Sequence, residues 1–133
     1  MNGLRQRRAR EARLYGIVDL GYISPDDCES VTEALLQGGV DVLQLRAKNH
    51  EESAILSLAQ RLVPLCHGRE VALIVNDFVN VALEAGADGV HLGQEDLSPL
   101  AIPADARGRL AIGRSTHTME QIASARSEPI DYL

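Results

Sequence analysis

The sequence has no tryptophan, one phenylalanine and three tyrosines. So few aromatics offer nothing to stack nucleic-acid bases on, and the acidic balance, a formal net charge of −6, repels a phosphate backbone. Only two cysteines occur, Cys28 and Cys66, too few and too far apart for a disulfide framework or a zinc site. Both fall in expected helices among apolar neighbours and read as buried thiols. No apolar run approaches the roughly 18 residues that span a bilayer. The charged N-terminus has no apolar segment of a secretory signal, which makes the cytoplasm the expected location. No Gly-rich dinucleotide or P-loop fingerprint follows any apolar run.

What is present fits one soluble domain of 133 residues, with 45% hydrophobic and 24% charged residues. Basic charge is concentrated at the start. Arg5, Arg7, Arg8, Arg10 and Arg13 face only Glu11, so residues 1–13 read as a basic, solvated N-terminal arm ahead of a domain over residues 14–133.

From Leu14 onward, short Val/Ile/Leu-rich runs alternate with helix-periodic segments. The runs are Leu14–Leu20, Val40–Leu45, Val71–Val75, Gly89–Leu92 and Leu110–Gly113. They are apolar throughout, as strands buried on both faces of a parallel sheet are. Between them, Ser24-Pro25-Asp26-Asp27 is a helix start, Cys28–Gln37 a helix closed by Gly38-Gly39, and Glu51–Cys66 a helix with Pro64 in its last turn. Phe78–Ala85 is a short helix stopped by Gly86. Pro99–Arg107 is weakened by Pro103, and Thr118–Arg126 is capped by Thr118. Asp131-Tyr132-Leu133 reads as the opening of a sixth strand. This β-α alternation predicts right-handed crossovers and a parallel α/β sheet, either doubly wound or a (β/α)8 barrel. In a barrel the chemistry gathers at the C-terminal strand ends.

Four strand ends carry polar side chains. After the second run, Gln44, Arg46 and Lys48 share one side of the strand, with Leu45 and Ala47 between them. Lys48 is the only lysine, and with Arg46 it makes an anion clamp or a salt-bridged strand end. After the third run come Asn76 and Asp77; after the fourth, His91 and then Asp96. Two carboxylates beside a cationic clamp suit Mg²⁺ held against a pyrophosphate. Alternatively, Asp96 caps the next helix, or Asp77 pairs with Arg46. After the fifth, Ser115, Thr116 and Thr118 place hydroxyls where a helix begins. His91 and His117 have no metal-ligand spacing and read as structural. No nucleophile–base constellation emerges, which disfavours covalent hydrolysis.

The segments LYGIVD, GGVDVLQLRAK, LIVNDFVNVALEAGADGVHLGQEDL and AIGRSTHT resemble the thiamine-phosphate synthase family in order and spacing, over residues 14–133. The resemblance implies a (β/α)8 TIM barrel, covered here to about its first five β/α units and the start of a sixth strand. It implies Mg²⁺-dependent displacement of pyrophosphate from hydroxymethylpyrimidine pyrophosphate by a thiazole phosphate, giving thiamine phosphate. Gln44, Leu45, Arg46, Ala47, Lys48, Asn76 and Ser115 match substrate-binding positions, Arg46 and Lys48 being the catalytic candidates. Asp77 and Asp96 match magnesium ligands. The family's later phosphate loops have no counterpart here, so the chain is expected to be the N-terminal portion of such an enzyme, acting on small molecules and not on nucleic acid or membrane. The alternatives are a thiazole tautomerase-like isomerase on the same fold and a non-catalytic barrel that binds thiamine phosphate.

Overall fold

A computed structural model describes residues 3–133. After helix α1 (Gly3–Arg10), strands β1 (Tyr15–Asp19), β2 (Val42–Arg46), β3 (Ala72–Asn76), β4 (Gly89–Leu92) and β5 (Ala111–Arg114) alternate with helices α2 (Cys28–Gln37), α3 (Glu52–Gly68), α4 (Val79–Ala85), α5 (Ala104–Arg109) and α6 (Met119–Ala125). All five strands are parallel and lie in chain order, β1-β2-β3-β4-β5. A doubly wound sheet reverses its strand order at a switch point, whereas a (β/α)8 barrel adds each strand beside the last. The order here is that of the barrel.

Alternation along each strand divides the core in two. One face carries Leu43, Leu45, Leu73, Val75, Val90, Leu92 and Ile112, packed against Cys28, Leu36, Ile55, Leu58, Leu62, Val79, Ala82 and Ala106 of α2 to α5. The opposite face carries Val42, Ala72, Ile74 and Ala111, packed with Ala9, Ala12 and Tyr15. The basic segment is therefore not simply a solvated arm. Its helix α1 lays Ala9 on the second face, Arg8 Nη1 donates to the Glu70 carbonyl at 2.8 Å, and Arg10 Nε donates to Asp131 Oδ1 at 2.9 Å. Arg8 and Arg10 are matched to acids of the domain that follows, Glu70 and Asp131. Asp41 fastens the connection by accepting from the backbone N–H groups of Arg13 and Leu14, which holds its carboxyl below the usual range.

Local signals explain most boundaries. Ser24 caps a 3-10 turn at Pro25–Asp27 before α2, and Thr118 Oγ1 accepts from the Gln121 N–H at the start of α6. Helix α4 ends at Gly86, whose φ of 75° is the left-handed conformation that glycine adopts without strain. Two boundaries depart from expectation. Helix α3 runs through Pro64 to Gly68, because Pro64 and Gln60, whose carbonyl loses its bond, both face solvent. Pro99–Arg107 splits into a 3-10 turn, Pro99–Ala101, and α5, with Pro103 as the cap between them. The C-terminal residues do begin a sixth strand: Asp131 N–H donates to the Ile112 carbonyl, Arg114 N–H donates to that of Tyr132, and Tyr132 bridges Gly113 in parallel.

Candidate active site

The concave face, opposite the helices, places its polar residues in rows. Register sets Asp19 beside Arg46, Ile17 beside Gln44, and Asn76 beside His91, which neighbours Gly113. Arg46, Asn76 and His91 thus share the row at the C-terminal strand ends, with Lys48, Asp77 and Ser115 just beyond. Leu45 and Ala47 do not join them. Both are buried in the helix-side core, so only their backbone can face a ligand.

Each cation of the clamp has a carboxylate partner. Arg46 Nη1 lies 2.8 Å from Asp19 Oδ2, and Lys48 Nζ lies 3.0 Å from Asp77 Oδ2. The expected alternative, Asp77 on Arg46, is replaced by this pairing. Asp19 Oδ1 also accepts from Gly21 N–H, and that bond, with Arg46, keeps the Asp19 carboxyl below its ordinary range. The Arg46 and Lys48 side chains remain 39% and 47% exposed, open enough to meet an anion.

Asp77 adopts a φ of 74°, a left-handed conformation that an aspartate tolerates at a cost. Its backbone N–H donates to the His91 carbonyl at 2.8 Å, which holds the turn beside β4. This places its carboxyl against that of Asp96. Burial first, then a hydrogen bond with Asp96, pushes the Asp77 carboxyl up, while Lys48 opposes the shift. Asp96 Oδ2 accepts from Gly93 N–H at 2.7 Å, closing its own loop rather than capping a later helix. Two carboxylates this close suit a hard divalent cation, which would relieve their repulsion and take its remaining oxygens from ligand and water. The donor set therefore fits Mg²⁺. A cavity of about 390 Å³ lies alongside, with Lys48, Gln94, Glu95, Asp96, His117 and Gln121 in its lining.

Ser115 is held from two directions. Its hydroxyl lies 2.7 Å from His91 Nε2, and its carbonyl accepts from Gln94 Nε2 at 2.7 Å. His91 Nδ1 lies 3.3 Å from the Tyr132 hydroxyl, which lies 2.8 Å from that of Tyr15, which in turn accepts from Gln44 Nε2 at 2.9 Å. His91 is thus structural in the sense expected, yet it joins Ser115 to Gln44 across the concave face. Asp19, Tyr15, Tyr132 and Gln94 had no place among the candidates. Asp19 sits opposite Arg46 only by register. Tyr15 and Tyr132 meet only because the sheet curls.

Nearby, the AGADG segment is mostly architectural. Asp88 accepts from the Leu73 N–H at 2.9 Å and lies 2.8 Å from His67 Nε2. Gly89 leaves no room for a side chain, since a Cβ there would lie 2.5 Å from the Ala111 carbonyl oxygen.

The profile of the thiamine monophosphate synthase family matches residues 14–133. The chain is 40% identical over 132 residues to thiamine-phosphate synthase of Synechococcus sp. (strain WH7803), covering 97% of this chain and 37% of that protein. To the enzyme of the same name from Herpetosiphon aurantiacus it is 42% identical over 121 residues, covering 91% and 58% respectively. The solved structure of thiamine phosphate pyrophosphorylase from Pyrococcus furiosus superposes with a TM-score of 0.79 at 33% identity, over 96% of this chain and 60% of that one. The chain thus spans between about a third and three fifths of the length of these relatives. With matching barrel topology and the polar strand ends in the same order as the motifs, this chain belongs to the thiamine monophosphate synthase family.

Proposed function

We propose that this chain supplies the pyrimidine-pyrophosphate half of a thiamine-phosphate synthase site, in a transferase that joins hydroxymethylpyrimidine pyrophosphate to thiazole phosphate. The observation that carries the reading is the meeting of Arg46, Lys48, Asp77 and Asp96 at adjacent strand ends. The bond between the pyrimidine methylene carbon and the pyrophosphate oxygen breaks, and its electron pair leaves with pyrophosphate. The thiazole ring nitrogen donates its lone pair to that carbon, forming the new C–N bond. No proton moves, so no general base is needed.

Arg46 and Lys48 are the catalytic candidates, because their charge meets the charge that develops on the leaving group. Gln44, Asn76 and Ser115 bind the pyrimidine side, with backbone from Leu45 and Ala47. Asp77 and Asp96 would hold Mg²⁺, whose chemistry there is neutralisation of pyrophosphate oxygens. In the free chain Lys48 is committed to Asp77. A divalent cation held by Asp77 would release the Lys48 ammonium to the anion, so cation and pyrophosphate would bind better together than apart. The domain of residues 14–133 carries the site, helix α1 closes the opposite end of the concave face, and the cytoplasm is the compartment this reading implies.

The experiment is a product assay on the protein that carries this chain, with both substrates and Mg²⁺. Thiamine phosphate and pyrophosphate should form in equal amounts. Isomerisation of the thiazole without pyrophosphate release, or tight thiamine-phosphate binding without turnover, would overturn the reading.

A further inference from the structure

We propose that Tyr15, Tyr132 and His91 are positioning residues that run a one-way chain of hydrogen bonds from the Gln44 amide to the Ser115 hydroxyl, fixing which end accepts from the substrate ring and which end donates to it. The identity of that ring rests on the function proposed above; the chain of bonds does not.

Proton bookkeeping sets the direction. The Gln44 amide nitrogen can only donate, so the Tyr15 oxygen, 2.9 Å away, accepts. The single Tyr15 hydrogen then goes to the Tyr132 oxygen at 2.8 Å. Were Tyr132 to donate to Tyr15 instead, the hydrogen of the half-buried Tyr15 phenol would have no recipient among its side-chain neighbours. The Tyr132 hydrogen passes on to His91 Nδ1 at 3.3 Å. A ring nitrogen that accepts a hydrogen bond carries no proton, so in this chain of bonds the His91 ring is neutral. A neutral ring that accepts at Nδ1 carries its proton on Nε2, and Nε2 donates to Ser115 Oγ at 2.7 Å. Two free ends remain: Gln44 presents Oε1 as an acceptor, and Ser115 presents O–H as a donor.

An amino group beside an unprotonated ring nitrogen offers the complementary donor and acceptor. The corresponding oxo ring, with a carbonyl beside a ring N–H, offers both in the wrong sense. A ring that meets both ends is therefore bound as the aminopyrimidine in preference to the oxopyrimidine, on the order of 100-fold or more, as buried hydrogen-bonding sites discriminate when a partner is mismatched.

The test reads the His91 tautomer directly. Long-range ¹⁵N–¹H correlation spectra of the ¹⁵N-histidine-labelled chain resolve its four histidines, and a His91→Gln variant assigns the signal. The expected result is protonated Nε2 and bare Nδ1. Tyr132→Phe should remove that bias, and Gln44→Glu, whose carboxylate only accepts, should reverse it. A wild-type ring protonated on Nδ1, or an even mixture, overturns the proposal without recourse to any variant. So does equal binding of amino- and oxopyrimidine pyrophosphates in competition. If Nε2 carries the proton but neither pyrimidine binds, the relay stands and the proposed function fails.

Discussion

The phenolic oxygens of Tyr15 and Tyr132 lie 2.8 Å apart, though 117 positions separate the two residues in the chain. They stand on β1 and on the start of the sixth strand, so the contact bridges the concave face from one side to the other. The approach depends on Gly113, where a Cβ would fall 2.2 Å from the Tyr132 ring. Gly113→Ala should therefore expel the ring and break its bonds to Tyr15 and His91. The expected cost is about 1–3 kcal/mol, the range for overpacking, read as a lower urea midpoint with an unchanged m-value. An alanine variant of full stability would show that the ring does not need this space.

Arg114 and Glu128 make the second prediction. Their side chains are only 9% and 14% exposed, and their nearest charged atoms lie 3.6 Å apart, too far for a hydrogen bond. Glu128→Ala leaves the guanidinium buried without its counter-charge and should cost about 3 kcal/mol. Replacing both residues with apolar side chains of similar size should recover most of that loss. Equal damage from single and double variants would mean that the charges are not coupled.

The thiols give a third. Cys28 and Cys66 are free and buried, and burial pushes the Cys66 thiol up to about 12. In the folded chain at pH 8 neither should react with iodoacetamide; in denaturant both should. The linkage has a definite sign. An unfolded thiol ionises near 9.0 and the folded one near 12, so the folded state binds more protons between those values. Stability should fall as pH rises through that window. Rapid labelling of the native chain would show that α2, at Cys28, or α3, at Cys66, opens readily.

Much of this was legible in the sequence, for identifiable reasons. Continuous Val/Ile/Leu runs marked the strands, because residues packed on both faces of a parallel sheet have no polar side to show. Helix α2 matched its expected bounds, Cys28–Gln37, since capping and glycine signals are local. Pro64 misled because its effect depends on which way it faces, and that is set by packing. Residues 1–13 read as a solvated arm, since Glu70 and Asp131, the partners of Arg8 and Arg10, lie far along the chain. In the site, Gln44, Arg46 and Lys48 were legible from strand alternation. Asp19 and the two tyrosines were not, because only register and sheet curvature bring them there.

The central claim is that Asp77 and Asp96 gather a divalent cation that admits pyrophosphate to Arg46 and Lys48. Calorimetric titration of pyrophosphate into the chain, with and without Mg²⁺, tests it most directly. The account predicts binding that strengthens at least ~10-fold with Mg²⁺, from the added metal–phosphate bonds, and loses that gain in Asp77→Asn and Asp96→Asn. Equal affinity with and without Mg²⁺, or a Mg²⁺ gain that survives both substitutions, would contradict it.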